Sequence, residues 1–313
     1  MSQLIAAVLP LALMVVFFIV PVYVISWLRT RYRKDRRSPL TAKLLRGPGQ
    51  TLQKEISKVE DDFSAYLAIL LMFPFLTLSV HLSQSYFGGA AESMFRSVFG
   101  VAAVVSVVVL VSLKLHRFSR TRFTLQCGFE AEVAMGQELN QLMRQGAVVF
   151  HDFPAEHFNI DHVVLTRGGL YAVETKGRMK PDKGRGAKDA TVEFDGSVLL
   201  FPDWKDAKTL EQAKRQATWL AKWLGSAVGE PVSVRPVVAL PGWFVNRTGR
   251  GDVITISGRE APALLKAGSG TPLSEQTVLR VAHQLEQRCR DVEPTQYGRQ
   301  GRLGREVRER VNP

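Results

Sequence analysis

The sequence predicts an α/β domain preceded by an α-helical membrane region. Three long apolar stretches lie before residue 116, whereas the 198 residues from 116 onward have an ordinary globular composition. The second part alternates helical spacing of apolar residues with short β-rich runs, a pattern typical of an α/β fold. The long apolar stretches exclude a fully soluble protein, and the patterning excludes collagen, coiled coil and low-complexity disorder.

Each apolar stretch is long enough to cross a bilayer as a helix. Residues 4–28 and 63–82 carry no charged side chain, and residues 94–113 carry only Arg96, near one end. A hydrocarbon core of about 30 Å needs roughly 20 helical residues. The sequence therefore predicts helices at about 4–28, 63–82 and 94–113, within a membrane region of residues 1–115.

Basic residues flank these helices unevenly and predict their orientation. Residues 29–62 carry ten Lys or Arg, residues 83–93 carry none, and four more lie between 114 and 122. Positively charged loops remain in the cytoplasm. We therefore expect three crossings of the bacterial inner membrane, with the N-terminus outside and residues 116–313 inside. The formal net charge of +12 also favours anionic partners, namely lipid headgroups or nucleic acid.

The cytoplasmic part is predicted to fold over residues 116–293 and to end in a flexible basic tail, 294–313. Residues 128–146 have helical spacing and end at a glycine. Further helices are expected at 208–224, 261–266 and 274–290, and strands at 147–150, 159–166, 170–176, 190–194, 197–201, 232–240 and 252–257.

A β-hairpin over residues 159–176 carries the most informative polar side chains. A loop of Gly168-Gly169 would place Asp161 opposite Lys176, and a loop one residue earlier would place it opposite Glu174. Because side chains alternate along a strand, Asp161, Glu174 and Lys176 share one face in either register. A three-residue loop would separate Asp161 from the other two.

Two carboxylates beside a lysine suit phosphodiester chemistry. Carboxylate oxygens bind hard divalent cations such as Mg²⁺. A neighbouring lysine can hold a water or stabilise the charge that develops on a phosphate. Asp followed by Glu-X-Lys is the arrangement of the PD-(D/E)XK nucleases, although a solvated surface hairpin can also carry this spacing.

Four pieces of the sequence together resemble the nuclease-related domain (NERD) family. They are Gly128-Phe-Glu-Ala-Glu132, Asn159-Ile-Asp-His-Val-Val164, Val173-Glu-Thr-Lys-Gly177 and Glu211-Gln212-Ala213, within about residues 124–240. NERD domains are similar to PD-(D/E)XK nucleases, so the resemblance implies a nuclease-like core with a central mixed sheet flanked by helices. It also implies a hydrolase that uses Mg²⁺ or Mn²⁺ and acts on nucleic acid, with DNA favoured over RNA.

The resemblance assigns a role to five side chains. Glu132 joins Asp161 and Glu174 as a metal-binding acidic cluster, Lys176 is the catalytic lysine, and Gln212 is the accessory polar residue.

Two of these assignments have rivals on the same helix. Glu130 competes with Glu132, and helix geometry allows only one of them to point at the site. Gln216 lies one turn after Gln212 on the same face. The helix signature also departs from the family at Ala131, where a glycine is usual.

Residues 176–188 form a basic stretch beside the predicted acidic cluster. It holds six Lys or Arg and one acid. Cations next to a metal site can bind phosphates, so the sequence predicts nucleic-acid phosphate contacts from Arg178, Lys180, Lys183 and Arg185. A solvated loop in a basic protein is the other interpretation.

Other enzyme classes have no support in the sequence. It contains no Walker A loop, no HExxH and no G-x-S-x-G motif. Three helices without buried charge argue against a transporter. The remaining alternative to a nuclease is a non-catalytic, membrane-tethered scaffold that binds nucleic acid or a partner.

Overall fold

The computed structural model describes residues 12, 15–33, 39–40, 42–88, 94–266 and 273–294. Their contacts define two compact units. The second unit consists of Lys43–Ser57 and Phe123–Glu293, and the other described residues belong to the first. The predicted tail, residues 294–313, lies outside the described residues apart from Pro294.

Long helices make up most of the first unit. A π-helical turn, Val15–Ile19, leads into α1, Val20–Arg33, which is followed by α2, Gln50–Gly88, and α3, Met94–Gln141. Two stretches of the described chain, Gln50–His81 and Ser97–Gln145, are long and apolar enough to cross a membrane. The first predicted span, 4–28, falls partly on residues 1–11, 13 and 14, which are outside the described residues.

Helix α3 unites two elements that the sequence predicted separately. The predicted span at 94–113 and the predicted helix from Gly128 are parts of one continuous helix. The polar residues between them include no glycine and no proline, so nothing in the backbone ends the helix there. Its last turn tightens into a 3₁₀-helix, Leu142–Gln145, which ends at Gly146 with a left-handed φ of 85°. Gly146 therefore ends the helix as predicted.

The second unit contains two mixed β-sheets. Its strands are β1 Val148–Pro154, β2 Asn159–Thr166, β3 Gly169–Thr175, β4 Thr191–Phe194, β5 Leu199–Leu200, β6 Lys205–Asp206, β7 Val234–Ala239, β8 Phe244–Arg247 and β9 Ile254–Ile256. The central sheet has the order β1-β2-β3-β7-β9, and the smaller one has the order β6-β5-β4-β8. In the central sheet β1, β2 and β3 are antiparallel, whereas β3, β7 and β9 are parallel.

Helices cover both faces of the central sheet. They include α4 Lys208–Val228, α5 Ala263–Lys266 and α6 Glu275–Cys289. Leu220 of α4 and Leu285 of α6 pack in a core on one face. Met135 and Leu139 of α3 pack in a second core on the other face. This arrangement confirms the predicted α/β fold with a central mixed sheet flanked by helices.

The pairing of β2 with β3 shows which of the two predicted hairpin registers is present. Thr166 pairs with Gly169, and His162 pairs with Val173. The loop is therefore Arg167-Gly168, the second of the two tight registers considered from the sequence. Strands β6 and β8 were not predicted, because β6 has two residues and β8 follows the turn at Pro241-Gly242.

Candidate active site

The predicted acidic residues meet at one end of the central sheet. Glu174 is next to the last residue of β3, Asp161 is near the start of the antiparallel β2, and Glu132 projects from α3. Glu132 and Glu174 are 8% and 2% exposed, and Asp161 is half-buried. Removal of a carboxyl group from water disfavours its charged form.

The carboxylates act on one another electrostatically. The pKa of Glu132 is raised to about 8, mainly by burial and then by repulsion from the carboxylates of Asp152 and Glu174. The pKa of Asp161 is raised well above its usual range, mainly by burial and then by repulsion from Glu174 and Glu132. Lys176 acts in the opposite direction on both groups. The structure therefore brings Glu132, Asp161, Glu174 and Lys176 together, as the sequence predicted.

Three side-chain donors hold the Glu174 carboxylate. Lys176 Nζ and Gln212 Nε2 both donate to Glu174 Oε1, the latter at 2.9 Å. Gln216 Nε2 donates to Glu174 Oε2 at 2.6 Å. Lys176 Nζ also donates to Gln212 Oε1 at 3.1 Å. The two glutamines are therefore not alternatives: both contact the site, and Gln212 bridges Glu174 and Lys176.

Glu132, rather than Glu130, faces the site. Glu130 is exposed and accepts a hydrogen bond from Gln126 at 2.9 Å. Glu132 is buried, and the backbone N–H of Gly49 donates to it. Ala131 in place of the usual glycine leaves α3 helical.

The backbone around Lys176 fixes its position. The Lys176 N–H donates to the Ala239 carbonyl of β7 at 3.0 Å, which extends the parallel ladder beyond β3. The next residue, Gly177, lies against α3, where an added Cβ would be 2.5 Å from the Cys127 carbonyl oxygen. Only glycine permits this approach, which explains the glycine that follows the lysine in the motif. Nearby, the Thr175 N–H donates to Asp161 Oδ2 at 2.6 Å.

A fourth acid, Asp152 of β1, was missed by the sequence analysis. It is 3% exposed and has a φ of 48°, a left-handed conformation that is uncommon for residues other than glycine. Its carboxylate accepts hydrogen bonds from Arg46 Nη1 at 2.9 Å, the Thr51 N–H at 3.0 Å and Asn159 Nδ2 at 3.1 Å. The one feature of the sequence that could have indicated its role is the position of Asp152 inside a largely apolar strand.

The start of α2 lies over the acidic cluster. The N–H of Gly49 donates to Glu132, and that of Thr51 donates to Asp152. The first N–H groups of a helix have no partner within the helix, and the positive end of its dipole favours negative charge. The N-terminus of α2 therefore stabilises the charged forms of Glu132 and Asp152 and offsets part of the cost of burying them.

The basic stretch 176–188 is largely engaged in ion pairs. Arg178 pairs with Asp206 at 3.1 Å, Lys183 pairs with Asp203 at 2.8 Å, and Arg185 pairs with Asp189 at 2.5 Å. Lys180 instead lies over the ring of Trp243, 6.0 Å from its centroid. Three of the four predicted phosphate ligands thus already have carboxylate partners.

The donor chemistry of the cluster suits a divalent cation. Its carboxylate oxygens are hard ligands, and the raised pKa values reflect burial and repulsion that a cation would offset. Within the described residues, however, no three His, Cys, Asp or Glu side chains converge closely enough to hold a metal.

The histidine beside Asp161 belongs to a different environment. His162 points to the α3 side of the sheet, where its Nδ1 lies 2.8 Å from Nδ1 of His151. His151 Nε2 in turn lies 3.0 Å from Asn140 Oδ1 of α3. Burial lowers the pKa of His151 to about 4, so both rings pack as neutral groups. His162 points away from Asp161, as expected from strand alternation.

Comparison with known proteins identifies the domain that carries this site. Searches of curated proteins and of solved structures found no match. Residues 128–241 match the family model of the nuclease-related domain, NERD. The matched segment contains Glu132, Asp161, Glu174, Lys176 and Gln212. Over residues 128–241 the chain therefore carries a NERD nuclease-related domain.

Proposed function

We propose that the protein is a membrane-anchored, metal-dependent nuclease that hydrolyses phosphodiester bonds of nucleic acid at the cytoplasmic face of the membrane. The observation that carries the proposal is the Lys176–Glu174 ion pair beside Asp161 and Glu132 within a NERD domain. Lys176 is partly exposed, and its ion pair with the buried Glu174 places a cation at the edge of a cluster of acids with raised pKa values, which is typical of functional sites.

The side chains of the site have distinct roles in this proposal. The proposal requires Glu132, Asp161 and Glu174 to draw closer together than they are in this structure in order to hold Mg²⁺ or Mn²⁺, which would supply positive charge next to the scissile phosphate. The Lys176 ammonium positions the attacking water or stabilises the charge that develops on the phosphate. Gln212 keeps that ammonium in place, because it contacts both Lys176 and Glu174.

The membrane location is part of the proposal. The apolar windows in α2 and α3 are only 6% buried, which a lipid environment would explain. These two helices account for two crossings, and the span 4–28 rests on the sequence alone; with the basic flanks, we propose three crossings of the bacterial inner membrane with the N-terminus outside. A reporter fused after Pro313 should therefore be active only in the cytoplasm, and activity on the outer side would overturn this topology.

One observation favours a non-catalytic scaffold as the second candidate. Both oxygens of Glu174 already have hydrogen-bond donors within the protein, and three of the predicted phosphate ligands are ion-paired. Such a network can stabilise the fold without any substrate. In that case the domain would bind nucleic acid or a partner and would not cleave it.

A cleavage assay on the full chain, purified in detergent or nanodiscs, separates the two candidates. We expect wild type to cleave DNA or RNA with Mg²⁺ or Mn²⁺ and not with EDTA. Asp161→Asn should lower the rate at least about 100-fold, because it removes one of the proposed metal-binding carboxylates. Glu156→Gln changes an exposed acid in the β1–β2 loop and is the matched control. Binding without cleavage under either metal would instead support the scaffold.

A further inference from the structure

A cavity of about 860 Å³ opens beside two residues of the candidate site, Lys176 and Gln212. Its volume is within the range of about 300–1,000 Å³ that is typical of small-ligand sites. Its walls combine positive charge with apolar surface. Besides Lys176 and Gln212, the lining includes Arg178, Trp204, Lys205, Asp206 and Lys208.

Two cations of this cavity, Lys205 and Lys208, are not neutralised by its lining. Asp206 is the one acid in the lining, and it accepts hydrogen bonds from the Thr209 N–H at 3.0 Å and from Arg178 at 3.1 Å. Lys205 and Lys208 are exposed, and neither has a carboxylate within 4.0 Å among the described residues. The cavity is therefore suited to an anion.

Both lysines project from ordered elements. Lys205 belongs to β6, where it pairs with Leu200 of β5. Lys208 is the first residue of α4, so its ammonium adds to the positive end of that helix. Ligands held on a strand and on a helix terminus are already positioned before an anion arrives.

An aromatic platform completes the lining. The Trp204 ring is stacked on Phe201, with centroids 4.5 Å apart and an angle of 9° between the planes. Its edge packs against Trp243 at 6.2 Å. These contacts hold Trp204 rigidly while it lines the cavity. A fixed indole is a suitable surface for stacking a nucleobase, whatever its identity.

We propose that this cavity is the subsite for the nucleotide next to the scissile phosphate, with its base against Trp204 and a backbone phosphate at Lys205 and Lys208. The proposal rests on the proposed nuclease function and names its substrate class as single-stranded nucleic acid. A base inside a duplex is stacked and paired with its neighbours, so it can stack against Trp204 only after leaving the duplex. In this proposal Lys205 and Lys208 bind the phosphate, in place of Arg178, Lys183 and Arg185, which are already ion-paired.

The test measures binding by the full chain in nanodiscs, with EDTA present so that no cleavage occurs. The probes are a fluorescent twelve-nucleotide oligothymidine and a duplex of the same length. We expect the single strand to bind more tightly than the duplex. Trp204→Ala should weaken single-strand binding by about 5- to 100-fold, and Trp204→Phe should keep most of it.

The double variant Lys205→Ala with Lys208→Ala does not disturb the aromatic packing. A plot of log affinity against log salt concentration has a negative slope, and this variant should make it shallower by about 1.4, the effect of two lost contacts to single-stranded phosphates. Lys222→Ala, an exposed lysine elsewhere on α4, is the matched control and should change nothing. Equal affinity for the duplex, or a double variant that behaves like Lys222→Ala, would overturn the subsite.

The same experiment distinguishes failure of the subsite from failure of the nuclease. If the variants lose binding as expected but wild type does not cleave under Mg²⁺ or Mn²⁺, the subsite stands and the catalytic proposal fails. If wild type cleaves and the variants bind like wild type, the catalytic proposal stands and the subsite fails.

Discussion

Lys176→Ala is expected to lower the rate of nucleic-acid cleavage by about 10²- to 10⁴-fold, the usual contribution of a positioned charge or proton-transfer group. The Lys176 ammonium donates to both Glu174 and Gln212, at the edge of the acidic cluster. Its removal leaves Glu174 with hydrogen bonds from Gln212 and Gln216, so the fold should survive. Single-turnover cleavage measures the effect.

Binding assays show whether this loss is catalytic. Affinity for nucleic acid should fall only modestly in Lys176→Ala, because each phosphate contact contributes separately. A triple variant with alanine at Lys180, Lys183 and Arg185 is the matched comparison, since it removes three cations of the basic stretch and leaves the cluster intact. Cleavage by Lys176→Ala at the wild-type rate would show that the lysine is structural.

Arg46→Ala is expected to destabilise the second unit by about 3–5 kcal/mol, the usual cost of breaking a buried ion pair by removing one partner. The Arg46 guanidinium donates to Asp152 at 2.9 Å and, through two nitrogens, to Asp291 at 2.7 Å. The side chains of Arg46 and Asp152 are only 12% and 4% exposed. The variant leaves the Asp152 carboxylate buried without its cation.

An exposed ion pair on the same segment is the control. Lys43 lies 3.4 Å from Glu293, with side chains 50% and 65% exposed, so Lys43→Ala should cost no more than about 1 kcal/mol. Intrinsic fluorescence during denaturation suits this comparison, because four of the five tryptophans belong to the second unit. Equal shifts in the two variants would show that the buried network does not stabilise the fold.

Local patterns predicted the hairpin and most of the cluster. Asp161, Glu174 and Lys176 lie on two strands joined by a tight turn, so period-two alternation and one turn signal are enough to bring them together. Glu132 lies on a distant helix, and only the family resemblance connected it to the site. The structure then shows that Glu132, and not Glu130, lies on the buried face of α3.

Contacts between distant parts of the chain could not be predicted. Arg46 reaches Asp152 across 106 residues, and neither residue belongs to a recognisable motif. The ion pairs of Arg178 and Lys183 could not be predicted for a similar reason, because their partners, Asp206 and Asp203, lie in and just before β6, whose position depends on the second sheet. A count of charges shows a basic stretch and does not show which charges are already paired.

The contacts of Lys43–Ser57 with later parts of the chain determine when the second unit can complete its folding during synthesis. Chains grow at about 5–20 residues per second, so Arg46 leaves the ribosome roughly 5–20 s before Asp152 and roughly 12–50 s before Asp291. The second unit therefore cannot complete its folding from the continuous segment Phe123–Glu293 alone. It closes only when its earliest segment, Lys43–Ser57, meets strands that are translated after the apolar parts of α2 and α3.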